Sequence, residues 1–105
     1  MLEKEIEKIL VAEVKKLGGR AYKWISPGND GVPDRIVIFP GRPPAFLELK
    51  TERGRLTSLQ RVQGKRLLAL GQNVRTAYGI DGLIRFFRDE GFVETAERLE
   101  KRYGL

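Results

Sequence analysis

The apolar positions of this chain change period several times, and each change marks an element. Leu2, Ile6, Ile9, Leu10, Val14 and Leu17 recur at three- and four-residue spacing, the one-sided signature of a helix over about 2–17. Gly18-Gly19 ends it, as glycine does just past a helix C-terminus. Arg20 to Ile25, with Ala21, Tyr22 and Trp24, reads as a strand, and Ser26-Pro27-Gly28-Asn29-Asp30-Gly31-Val32-Pro33 is a loop by composition. Two strand-like runs, Asp34–Phe39 and Ala45–Lys50, flank the hairpin-like connection Pro40-Gly41-Arg42-Pro43-Pro44. A second helix is expected over Thr57–Leu70. Thr57 is its N-cap, Gln60 reaches back in a capping box, and Leu59, Val62, Leu67, Leu68 and Leu70 are its apolar contacts. Asn73–Tyr78 forms a short fourth strand, and Ile80–Glu90 and Val93–Tyr103 two further helices separated by Gly91. The order α-β-β-β-α-β-α-α predicts an α/β domain, one small mixed sheet flanked by helices.

Candidate chemistry lies where these elements meet. Side chains alternate along a strand, so Glu48 and Lys50 share one face while Leu47 and Leu49 take the other. If the two runs pair, Asp34 at the start of one approaches Glu48 near the end of the next. Two carboxylates at that range repel unless a cation lies between them, and an all-oxygen ligand set suits Mg²⁺ or Mn²⁺. With Lys50 alongside, this is apparatus for metal-assisted phosphodiester hydrolysis. Taken alone, Pro33-Asp34 is a turn or strand-start pair and Glu-x-Lys a solvated strand end. The combination, on otherwise apolar strands, makes buried carboxylates that need a counter-charge. On the first helix, Glu3 and Glu7 fall on the apolar side with Ile6, Leu10 and Val14. Each is either a further contributor to the site or a solvated residue at the edge of the stripe.

Composition narrows the choices. At 105 residues the chain is about one domain, and 41% hydrophobic residues suffice for a core. Twenty basic residues against 14 acidic give +6, which favours an anionic partner, nucleic acid before a membrane surface. The chain has no cysteine and no histidine. Disulfides, zinc fingers, iron–sulfur sites, thiol nucleophiles and every histidine-base mechanism are thereby excluded. No apolar stretch approaches the ~20 residues needed to span a bilayer. The charged start Met1-Leu2-Glu3-Lys4-Glu5 is unlike a secretory signal, so a cytoplasmic location is expected.

The runs Gly31-Val32-Pro33-Asp34-Arg35, Glu48-Leu49-Lys50 and Leu56-Thr57-Ser58-Leu59-Gln60, with Ile6-Glu7 ahead of Gly18-Gly19 and the loop Ser26-Pro27-Gly28, occur in order. Together they resemble the stand-alone VRR-NUC nucleases of phages and prophages, members of the PD-(D/E)xK superfamily alongside restriction enzymes and Holliday-junction resolvases. The resemblance covers about residues 3–80, leaving 81–105 as a C-terminal helical extension of one nuclease domain. It implies a restriction-endonuclease-like core and a Mg²⁺- or Mn²⁺-dependent DNA endonuclease favouring branched structures, without a nucleotide cofactor. By it, Asp34 and Glu48 are metal ligands, joined by the backbone carbonyl of Leu49. Lys50 orients or helps deprotonate the attacking water. Glu7, chosen over Glu3 by its spacing from Gly18-Gly19, holds metal-bound water or a second ion, and Gln60 lies near the site. Relatives of this size tend to act as homodimers.

Lys23, Arg35, Arg53 and Arg55 are candidate phosphate contacts, with backbone N–H groups of the Ser26–Gly31 loop, against a reading of each as a solvated charge. Tyr22 and Trp24 are candidate base-stacking groups, though an aromatic on a strand is more often core. The competing functional readings are an inactive nucleic-acid-binding module of the same fold and a small basic scaffold protein.

Overall fold

In the computed structural model, which describes residues 1–104, the elements follow in the order α1 (Glu3–Lys16), β1 (Arg20–Lys23), β2 (Arg35–Ile38), β3 (Ala45–Lys50), α2 (Ser58–Ala69), β4 (Asn73–Tyr78), α3 (Gly79–Asp89) and α4 (Val93–Tyr103). The strands form one sheet in the order β1-β2-β3-β4. The first two pairings are antiparallel, and β4 lies parallel to β3 after the crossover through α2. This is the small mixed sheet expected from the alternating periods. The first two strands are shorter than their apolar runs. Only four residues of each pair in the ladder, although Trp24 N–H still donates to the Asp34 carbonyl at 2.8 Å.

One face of the sheet carries the core. Val37, Ala45, Leu47, Leu49 and Ala77 meet Ile6, Leu10 and Val14 of α1 and Leu83, Ile84, Phe86 and Phe87 of α3. α4 closes this layer with Ala96 and Leu99, so the highly charged final helix has a docked face. Its anchor is an ion pair that the sequence did not advertise. Arg98 donates to both oxygens of the buried Glu13 at 2.6 and 3.1 Å, and Lys16 adds a third contact at 3.3 Å. The Arg98 hydrogen bonds, opposed in part by burial, hold the Glu13 carboxyl below its usual range. Its stabilisation is therefore present above pH 4.5 and lost as pH falls through the depressed value. Because Arg98 is half exposed, Arg98→Ala is expected to cost only about 1–2 kcal/mol at neutral pH, between the exposed and buried limits for ion pairs. Urea denaturation should show that difference shrinking below about pH 4. An equal difference in acid would refute the charge-based account.

The second helix corrects a sequence expectation. None of its residues is buried, and Leu59, Val62, Leu68 and Leu70 are exposed. At about 100° per residue the apolar positions of α2 spread around the helix instead of forming a stripe. The helix also packs against the edge strand β4 more than across the sheet. Much of the sheet's second face is consequently open. Tyr22 and Ile38 are exposed there, while Trp24 packs on Phe46 with ring centroids 5.4 Å apart.

Candidate active site

The strand register builds the site. Arg35 pairs with Leu47 in the antiparallel β2–β3 ladder, so the preceding Asp34 lies opposite Glu48. Alternation turns Asp34, Glu48 and Lys50 to the second face while Leu47 and Leu49 enter the core. Asp34 lies near enough for its charge to raise the Glu48 carboxyl. Asp34 Oδ2 also accepts the Leu49 N–H at 3.2 Å, which fixes its aim. Lys50 Nζ stands 3.5 Å from Glu48 Oε2. The structure thus brings together Asp34, Glu48, Lys50 and the backbone of Leu49.

Gln60 joins them through the start of α2. Its backbone N–H donates to Thr57 Oγ1 at 3.1 Å and its Oε1 accepts the Thr57 N–H at 2.8 Å, a complete capping box. With Oε1 so engaged, the amide nitrogen is the end that faces the strand, and it donates to Glu48 Oε2 at 3.0 Å. Helix cap and site residue are one geometry: the cap sets which end of the amide Glu48 meets.

Glu48 is the electrostatic centre. It is 6% exposed, and burial, with the nearby Asp34 charge, pushes its carboxyl up to about 7 despite the opposing pull of Lys50. Glu48 Oε2 serves Lys50 and Gln60, whereas Glu48 Oε1 is buried without a partner among the described residues. A buried oxygen left free beside a second carboxylate is costly unless something else completes it. The residues present therefore fit a divalent cation: two carboxylates, one with an uncommitted oxygen, and a short ligand set of the kind Mg²⁺ prefers.

Glu7 is taken by Arg35, whose guanidinium forms an ion pair with it and donates to the Ala21 carbonyl at 3.0 Å. Among the described residues no three acidic side chains converge on one point. Arg35, following Asp34 on the strand, points to the α1 side and links helix to sheet. Its side chain is only 14% exposed, which leaves little of it for a phosphate. Lys23, Arg53 and Arg55 are exposed and unpaired among the described residues. Ser26 Oγ accepts from the Asn29 side chain at 3.0 Å, which orders the loop leading to Asp34. The Glu13–Arg98 pair, buried only on its Glu13 side, and the glutamine–carboxylate bond were missed by sequence reasoning. For the second, the resemblance had placed Gln60 near the site, and the Thr57-x-x-Gln60 spacing was a further signal.

Gly31 holds the two halves of the site together. Its φ is +90°, and a Cβ there would come within 2.6 Å of the Leu59 backbone at the start of α2. Both the left-handed conformation and the close approach require glycine. Gly31→Ala is expected to lower stability by at least about 1 kcal/mol. A variant whose urea midpoint matches that of the parent would overturn this account.

The fold is that of a VRR-NUC domain: a solved structure described as "VRR_NUC domain" superposes with a TM-score of 0.70 over 96% of each chain, at 24% identity. No family model matches the sequence. "Putative nuclease p44" of Acyrthosiphon pisum secondary endosymbiont phage 1 is 49% identical over 72 residues, 69% of this chain and 77% of that protein. The chain belongs to the family of this putative phage nuclease, and its fold is the VRR-NUC one.

Proposed function

We propose that the protein is a divalent-metal-dependent DNA endonuclease that favours branched substrates. The observation that carries this reading is the meeting of Asp34, Glu48 and Lys50 with Glu48 Oε1 left unpartnered. Asp34 and Glu48 would hold Mg²⁺ or Mn²⁺, with the Leu49 carbonyl as a further ligand. A bound divalent ion supplies charge neutralisation at the phosphate and acidifies water. Lys50 contributes a proton-handling or charge-stabilising ammonium next to Glu48. Gln60 keeps Glu48 Oε2 in place, leaving Glu48 Oε1 for the ion. Glu7 acts through Arg35, fixing the strand on which Asp34 begins.

Lys23, Arg53, Arg55 and the Ser26–Gly31 loop are assigned to the DNA backbone, which positions a substrate without reading its sequence. The exposed aromatic and aliphatic groups of the open sheet face support a homodimer, in which two-fold symmetry would place two cuts on a branched substrate. Light scattering tests that assignment: a monomer at working concentration would overturn it. No helix among the described residues is long and apolar enough to cross a membrane.

Activity is tested by incubating the protein with junction, flap and linear DNA in Mg²⁺, Mn²⁺ or EDTA. Ion-dependent cleavage, fastest on branched forms, is expected. Absence of both cleavage and calorimetric Mn²⁺ binding would instead favour an inactive DNA-binding module.

A further inference from the structure

A cleft of about 250 Å³ runs between α2 and the edge strand β4 and opens beside the two carboxylates. Pro33, Leu56, Leu68 and Val74 give it mainly apolar walls, and Gly64 leaves α2 without a side chain at that point. Glu48 and Gln60 line it too, so the cleft is continuous with the site described above. Arg61 and Lys65, one turn apart on α2, also line it, and both are exposed without an acidic partner among the described residues.

We propose that this cleft takes a single unpaired nucleobase of the DNA strand being cut. The proposal rests on the nuclease reading and adds a source for its selectivity. Apolar walls would reject a phosphate, whereas a base presents flat apolar faces and is flanked by the phosphates that Arg61 and Lys65 suit. The volume lies below the ~300–1,000 Å³ of sites that hold drug-sized molecules, which fits one ring system. Placing the base here sets its neighbouring phosphodiester near Asp34 and Glu48. A base in intact duplex must first leave the stack, and this costs least at a branch, gap or flap where pairing is already lost. The cleft would thus favour disrupted DNA without reading sequence.

Gly64→Leu tests the idea because it fills the cleft. A Cβ at Gly64 would meet only Val74 Cγ1, at an ordinary 3.9 Å, and leucine is the better helix former. Fluorescence anisotropy in EDTA would compare oligonucleotides whose single unpaired nucleotide carries a base or is abasic. The parent protein is expected to bind the base-bearing strand about tenfold tighter, in line with one stacked base, and Gly64→Leu to erase that ratio while its circular dichroism melt shows a folded domain. Equal affinity of the parent for both strands, or a tenfold ratio retained in Gly64→Leu, would overturn the proposal. So would a change of oligomeric mass in the variant with the ratio unchanged, because the cleft would then house a second copy. A parent protein that shows the ratio but cuts no DNA in Mg²⁺ or Mn²⁺ would sustain the cleft and sink the nuclease reading.

Discussion

Lys50→Ala is expected to reduce metal-dependent DNA cleavage at least about 100-fold, the lower range for loss of a positioned proton-handling group. The fold should survive. Lys50 lies at the end of β3 on the second face, its stem contributes nothing to the core layer, and its ammonium meets one carboxylate. Removing it leaves Glu48 without its only positive neighbour among the described residues, so the loss should be accompanied by weaker ionisation of that carboxyl. Asp34→Ala and Glu48→Ala are expected to be equally inactive through loss of the ion. The measurement is single-turnover cleavage beside a thermal melt. A folded Lys50→Ala protein with undiminished metal-dependent rate would remove Lys50 from the mechanism.

The second large effect is opposite in sign for activity and stability. Glu48 has a folded-state pKa of about 7 against an ordinary 4.5, raised chiefly by burial. A raised value means that the carboxyl favours the fold fully below pH 4.5 and that this support is lost as pH rises through about 7. At pH 8 the metal-free protein therefore carries a destabilising buried charge. Glu48→Gln removes that charge while retaining an oxygen to accept from Gln60. It should raise the metal-free stability at pH 8 by no more than about 3 kcal/mol, the free-energy equivalent of the shift, with the gain vanishing toward pH 4. The same variant should be inactive. Mn²⁺ should raise the melting temperature of the parent and leave that of Glu48→Gln unchanged, since an ion stabilises only the state that binds it. Equal melting of the two metal-free proteins at pH 8 would show that Glu48 is not strained by its burial.

Stability given up at one buried carboxylate is the expected companion of a site that waits for a cation. Gln60 illustrates how little chain is used to build it. One side chain closes the first turn of α2 and orients Glu48, so the helix start and the site are a single hydrogen-bonded unit.

The element order, the strand pairing that sets Asp34 opposite Glu48, and the shared face of Glu48 and Lys50 were all legible in the sequence. Each follows from local rules: side-chain alternation, glycine and proline punctuation, and a capping box. What could not be read were relations between distant elements. α2 was expected to bury its leucines. Its apolar residues do not form a stripe, and only packing shows that it leans on the sheet edge and leaves a cleft beside Glu48. Glu7 was expected at the metal, and Arg35, 28 residues further along, takes it instead. Glu13 and Arg98, 85 residues apart, form a pair, buried at Glu13, that neither residue's neighbours announce. Periodicity specifies which face a side chain occupies. The partner it finds there depends on how whole elements stack, and that is decided only when the hydrophobic layers close.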